Sequence, residues 1–188
     1  MNQSHKETAL LLIDFQNDYF PGGKWELDNI DKAAANGAKL LAAFRQQDLP
    51  VIHVYHEFES ADAPFFLAAS EGAKIHPTFT PKDGERVILK HAANSFKNTS
   101  LQADLDSLGI KNLIVVGAMS NICIDAGVRA AADIGYNVSV AQDACTTRDQ
   151  VFSGITVSAQ QTHAAFMASL AFAYARIENT KTLLAEIS

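Results

Sequence analysis

Short apolar runs, each closed by a glycine or a polar residue, are what most restrict the folds open to this chain. They are "TALLLID" at residues 8–14, "VIHVY" at 51–55, "RVILK" at 86–90 and "NLIVVG" at 112–117. A run that is continuously apolar rather than alternating reads as a strand buried on both faces, the habit of a parallel sheet covered by helices. Helical periodicity fills the intervals. Residues 29–47 place Ala33, Ala34, Gly37, Leu40, Leu41 and Phe44 at spacings of three and four, and Pro50 stops the pattern. Further helices are expected near 99–108, 121–134 and 157–172. A strand "NVSVA" at 137–141 and a short last strand in "AYARI" at 173–177 precede a C-terminal helix. Strand and helix alternate about six times, which prescribes an α/β fold with a parallel sheet covered on both faces.

The chain has 188 residues, enough for one domain spanning 1–188 with a sizeable core. Hydrophobic residues at 48% and charged residues at 19% place it among globular proteins rather than disordered ones. Its 15 basic and 21 acidic side chains give a net charge of -6 with no basic cluster, which argues against nucleic acid or an anionic membrane as partner. No apolar stretch approaches the ~18 residues of a membrane span. The opening "MNQSHKETALLLID" lacks the basic-then-apolar layout of a signal peptide. Two cysteines, Cys123 and Cys145, make no disulfide framework, so a reducing, cytoplasmic setting is expected. Residues 57–85, with Pro64, Pro77 and Pro81, form an irregular segment long enough to be functional.

In parallel sheets, ligands gather beyond the carboxyl ends of the strands. Three such ends carry chemistry. Asp14 closes the first strand, either as a turn former or as a desolvated base. Lys90 closes the third, and strand alternation turns its neighbour His91 to the opposite face. Cys123 lies in "VVGAMSNICIDAGVRAA" (115–131), where the fourth strand passes into a helix. A lone cysteine is usually a small buried hydrophobe. At a helix start capped by Ser120 or Asn121, however, free N–H groups and the dipole favour thiolate and supply oxyanion donors. Acid, amine and thiol thus stand at the ends of strands one, three and four.

These blocks resemble the isochorismatase-like cysteine hydrolase superfamily, which includes nicotinamidases and N-carbamoylsarcosine amidases. The similarity is carried in order by "LLLIDFQNDY", "VILKHAANSF", "LIVVGAMSNICIDAGVRAAADIGYNVSVAQDA" and "THAAFMASLAFAYARI", nearly the whole chain. It implies a three-layer α/β/α fold with a six-stranded parallel sheet of Rossmann-like topology. It also implies a triad of Cys123 as nucleophile, Asp14 as general acid/base and Lys90 as the polarising charge. A cis Ala118–Met119 peptide would aim the Met119 N–H, with that of Cys123, at an oxyanion. The implied reaction is hydrolysis of a C–N bond in a small amide or ureide through a thioester, without a cofactor, and the implied assembly is a homo-oligomer.

The superfamily divides by its metal. Nicotinamidases carry an Asp-x-His motif after the second strand, where this chain has "VIHVYHEFES". His53, His56 and His76 are scattered, so surface or packing roles are expected and no metal is assigned. Isochorismatase proper lacks the nucleophilic cysteine, so Cys123 points to C–N cleavage. The alternatives are a metal-dependent nicotinamidase, an ether hydrolase and a catalytically silent binding protein. Phe15, Gln16, Phe20, Trp25, Asn94 and Phe96 are the candidate pocket residues, with Tyr19 a further aromatic nearby. Arg129 is expected to pair with Asp133 four residues on. His163 reads as structural and Cys145 as inert, while nothing in the sequence decides the role of Arg148.

Overall fold

The computed structural model describes residues 6–187. The first five residues of the amino-terminal segment read above, and Ser188, lie outside the described residues. The elements are β1 (Thr8–Ile13), α1 (Ile30–Gln46), β2 (Val51–His56), β3 (Arg86–Lys90), α2 (Leu101–Ser107), β4 (Asn112–Ala118), α3 (Asp125–Asp133), β5 (Asn137–Thr146), β6 (Gln150–Phe152), β7 (Ile155–Val157), α4 (Ala159–Ala173), β8 (Arg176–Glu178) and α5 (Thr180–Ile187). A π-helical turn, Ser120–Ile124, links β4 to α3.

Six strands form one parallel sheet in the order β3-β2-β1-β4-β5-β8. The apolar runs explain its layering. In β1, Leu10 and Leu12 pack with Leu40, Leu41 and Phe44 of α1 and Leu183 and Ile187 of α5. Ala9, Leu11 and Ile13 face the other way, onto Leu101 and Leu105 of α2, Val128 and Ala131 of α3, and Met167 and Leu170 of α4. In β4, Ile114 and Val116 join the first layer and Leu113 and Val115 the second. The central strands need apolar residues at consecutive positions because both faces are covered, giving the three-layer α/β/α fold expected from the sequence. The edge strand β3, also read as buried on both faces, instead leaves Val87 and Leu89 exposed. Among the described residues, no helix is long and apolar enough to cross a membrane.

The chain runs outward from β1 through β2 to β3, then returns to place β4 on the other side of β1. The topological switch point, where such sheets usually place their ligands, therefore falls between β1 and β4, at their carboxyl ends. Two backbone features shape it. Asp14 has a left-handed φ of 56°, which turns the chain sharply out of β1. Gly117, with φ 132°, pairs with Ile13, and a Cβ there would lie 1.9 Å from the Ile13 carbonyl oxygen. Only glycine lets β4 come this close to β1.

Three elements depart from expectation. The β5 strand continues to Thr146, five residues past Ala141. An antiparallel hairpin, β6–β7, occupies residues expected to be loop and helix start. Helix α4 begins later, at a capping box of Ser158 and Gln161. From the clash at Gly117, Gly117→Ala is expected to lose about 3 kcal/mol or more, with Tm falling by roughly 6–12 °C. Urea denaturation and a thermal melt check this.

Candidate active site

Asp14, Lys90 and Cys123 come together. The Lys90 Nζ lies 2.8 Å from Asp14 Oδ2 and 3.3 Å from Cys123 Sγ, and all three side chains are buried. Strand β3 is two strands from β1, about 10 Å away at the usual spacing, so the long lysine stem is needed to pass β2 and reach Asp14. The residue it passes is His56, its register partner at the end of β2. The His56 Nδ1 lies 3.2 Å from Nζ. The ammonium thus has three N–H donors and three acceptors: a carboxylate, an imidazole nitrogen and a sulfur.

These contacts set the charges. Burial draws the Lys90 pKa down, but the attraction of Asp14 and Cys123 outweighs it and the net shift is upward, so Lys90 is an ammonium. Burial, then Lys90, lowers His56 to about 4, leaving a neutral imidazole that accepts from Nζ. Burial and the Asp14 carboxylate push the Cys123 thiol up, with Lys90 only partly offsetting them. That corrects the expectation of a thiolate favoured by a helix start. Cys123 occupies the π-helical turn, and neither that turn nor α3 has a side-chain cap. Ser120 Oγ instead pairs with His163 Nδ1 at 2.7 Å, and Asn121 Oδ1 accepts from Thr147 Oγ1 at 2.6 Å. A protonated thiol therefore sits beside a carboxylate. Apart from the Lys90 ion pair, no N–H or O–H among the described residues donates to either Asp14 oxygen.

The peptide bond between Ala118 and Met119 is cis. Ile122 and Ile124 both donate their N–H to the Met119 carbonyl, at 3.1 and 3.2 Å, with Cys123 between them.

The family model "Isochorismatase domain" matches residues 8–182, which include the whole triad. This chain belongs to the isochorismatase family of hydrolases. An uncharacterized isochorismatase family protein, YddQ of Bacillus subtilis, is 48% identical over 177 residues, covering 94% of this chain and 98% of the relative. A crystal structure assigned to the isochorismatase hydrolases, from Oleispira antarctica, superposes with a TM-score of 0.93 at 56% identity, covering 98% of this chain and 99% of that one. The streptothricin hydrolase of Streptomyces noursei is 29% identical over 143 residues, covering 75% of this chain and 50% of the relative.

Within this isochorismatase fold the candidate pocket residues separate. Phe15 stacks on Phe79 at 4.0 Å and packs against Gly37, in the core. Phe20 stacks on His76 at 3.7 Å. Phe96 packs against the second core layer, and the Asn94 side chain closes a local turn by accepting from the Phe96 N–H. Gln16 is fully buried and grips backbone: Nε2 donates to the His56 and Ala73 carbonyls, and Oε1 accepts from the His56 N–H. Asp18 does likewise with the Phe66 and Lys24 N–H groups. The segment "DFQND" thus carries a triad residue at its first position and anchors for residues 57–85 at its third and fifth.

What the anchored segment brings is an aromatic wall. Phe65 packs on Tyr19 at 5.7 Å and on Trp25 at 4.7 Å, and Phe58 meets Phe65 at 5.2 Å and His56 at 4.3 Å. Burial, with the Asp14 carboxylate nearby, holds the Tyr19 hydroxyl well above its usual range. Trp25 lies on this wall; Phe15, Phe20, Asn94 and Phe96 do not.

The histidines serve separate partners. His53 Nε2 is 2.8 Å from Glu85 Oε2, His56 holds Lys90, and His76 Nδ1 accepts from the Thr78 N–H. Among the described residues no group of three or more His, Cys, Asp or Glu is placed to hold a metal. His91 is exposed and pairs with the Glu57 carbonyl. Arg129 pairs with Asp125 at 2.9 Å rather than Asp133, because that direction also carries the guanidinium over the Tyr174 ring.

The depressed His56 pKa has a pH consequence. The unfolded imidazole takes up a proton near pH 6.5, whereas the folded one stays neutral down to about 4, so stability rises with pH across that window. Acidification from 6.5 towards 4 is expected to remove about 3 kcal/mol through this group. Urea denaturation across that range should show a shallower pH dependence for His56→Gln than for wild type.

Proposed function

We propose that this protein is a cysteine hydrolase that cleaves a C–N bond in a small amide or ureide through a covalent thioester. The observation that carries the reading is one buried ammonium bound at once to a carboxylate and a thiol at the switch point of the sheet. In this reading Asp14 takes the thiol proton as sulfur attacks the carbonyl carbon. The Met119 and Cys123 N–H groups hold the tetrahedral oxyanion, a contact of about 3 kcal/mol per donor in comparable sites. Asp14 returns the proton to the departing nitrogen as the C–N bond breaks. Water then adds to the thioester with Asp14 as base, releasing the acid and restoring the thiol. Lys90 keeps its charge throughout, and His56 stays neutral behind it.

Support comes from the protonation states. A thiol held protonated next to a carboxylate needs a base in the attacking step, and Asp14 has an oxygen open to serve. The separate partners of His53, His56 and His76 favour this reading over a metal-dependent nicotinamidase. The two buried free cysteines are in keeping with a reducing, cytoplasmic setting. The exposed Val151, Phe152 and Ile155 of the β6–β7 hairpin favour a homo-oligomer.

Ammonia release across a panel of small primary amides and ureides tests the reaction. Cys123→Ser and Asp14→Asn are each expected to lower kcat/KM by about 10³-fold or more. Trapping with a turnover substrate should add the acyl mass to Cys123 in wild type. Activity that survives in Cys123→Ala would point to ether hydrolysis instead. A thiol alkylated by iodoacetamide no faster than free cysteine, with no amide turned over, would mark a silent binding protein.

A further inference from the structure

The His163 imidazole ties helix α4 to the turn that carries Cys123, and its hydrogen bonds have a definite direction. Ser120, the first residue of the Ser120–Ile124 turn, is fully buried, and its hydroxyl bonds His163 Nδ1 at 2.7 Å. The other ring nitrogen, Nε2, lies 3.4 Å from Gln142 Oε1. Gln142 Nε2 donates to Asn179 Oδ1 at 2.6 Å, so the Gln142 amide turns its oxygen, not its nitrogen, toward the histidine. An oxygen there requires the ring proton on Nε2. Nδ1 is then a bare lone pair, and Ser120 donates to it. Every donor in this relay points outward, from Ser120 through His163 and Gln142 to the exposed Asn179.

The turn has few other ties. It has no side-chain cap. Apart from the contacts of Cys123 itself, two side-chain hydrogen bonds hold it among the described residues: Ser120 to His163 on α4, and Asn121 to Thr147 just past β5. Ser120 stands three residues before Cys123, so losing its seat moves the sulfur, and a displacement of about 1 Å can cost a reaction on the order of 100-fold. His163 also faces water. A cleft of about 470 Å³ opens between the starts of α1 and α4, lined by His163, Gln142, Cys145, Asp28, Lys32 and Gln160. The titratable groups around the ring are Cys123 in the turn, Asp28 and Lys32 at the start of α1, and Asp143 and Cys145 on β5. None of them shifts it; burial alone lowers its pKa from the usual 6.5. Protonation places hydrogen on both ring nitrogens, and the Ser120 hydroxyl then meets a donor where it had an acceptor.

We propose that His163 is a positioning residue for the nucleophile: its neutral ring seats the Ser120–Ile124 turn, and protonation through the cleft unseats that turn and withdraws Cys123 from reaction. His163 has no hydrogen bond to Asp14, Lys90 or Cys123, so it acts through Ser120. The working form is the neutral one. Activity is therefore kept above the His163 pKa and lost as pH falls through it. The proposal rests on the hydrolase reading above for turnover, but not for the movement of the turn.

Nuclear magnetic resonance on the full-length, ¹⁵N-labelled protein tests the movement, with the His163 ring assigned by its loss in His163→Asn. Wild type is expected to show the Nε2–H tautomer and a midpoint below 6.5, and the Asn121–Ile124 amides should shift with that same midpoint. His163→Asn keeps an acceptor at the place of Nδ1 and cannot titrate, so its turn amides should hold still across this range. Ser120→Ala removes the donor that favours the neutral ring, and should raise the His163 midpoint by about half a unit or more. Turnover of whichever amide wild type hydrolyses tests the consequence. His163→Leu should lower kcat about tenfold or more with KM within about twofold. His163→Asn should restore most of that loss and show no acid limb at the His163 midpoint. An Nδ1–H tautomer, turn amides that ignore the His163 midpoint, or an acid limb that persists in His163→Asn overturns the proposal. Should His163→Leu not fold, the wild-type titration and Ser120→Ala decide. Absence of turnover with every amide sinks the hydrolase reading and leaves the titration to judge His163. Turnover by a protein whose turn is indifferent to His163 keeps that reading and removes this one.

Discussion

A buried ammonium is hard to keep, and most of this structure can be read as the means of keeping one. Removing an isolated charge from water costs several kcal/mol, and one unmatched partner in a buried pair typically destabilises a protein by about 3–5 kcal/mol. Lys90 escapes that cost because three strands deliver three acceptors to its Nζ: β1 ends in Asp14, β2 in His56, and β4 leads into Cys123. Each acceptor has a different task. The carboxylate balances charge, the imidazole fills the third donor direction without adding charge, and the sulfur takes the remaining one. A parallel sheet suits this because all its strands point their carboxyl ends the same way, so polar residues at different strand ends meet at one edge.

Much of this was readable from the residues. The continuous apolar runs identified the parallel sheet because both faces are covered, and the layered packing of Leu10, Leu12, Leu11 and Ile13 is the physical counterpart. Polar strand ends singled out Asp14, Lys90 and Cys123. The role of His56 was not legible, because a histidine near the end of β2 reads first as a metal candidate and only register shows it beside Lys90. The protonated state of Cys123 was missed for a related reason. A strand-to-helix junction implies a helix dipole, but burial and an adjacent carboxylate dominate there, and a π-helical turn replaces the expected first turn.

Other misses were local and left a signal. Ser153 and Gly154 both adopt left-handed φ values, 50° and 75°, the conformation of a two-residue hairpin turn. "VFSGITV" therefore held a hairpin cue, but its apolar side chains are exposed, and an exposed strand carries none of the burial pattern that marked the others. The aromatics near Asp14 show a different limit. Distance in sequence from Asp14 says nothing about packing partners: within one core layer Phe15 stacks on Phe79 while Trp25 stacks on Phe65.

Gln16 and Asp18 hold residues 57–85 through main-chain atoms, the Ala73 carbonyl and the Phe66 amide, while Gln16 also grips the His56 amide and carbonyl at the end of β2. Peptide groups are common to nearly all amino acids, so this grip is indifferent to which side chains the segment displays. Side chains such as Phe58 and Phe65 can therefore change without loosening the hydrogen bonds that seat the segment. What the segment displays and how it is seated become separable within one short fold.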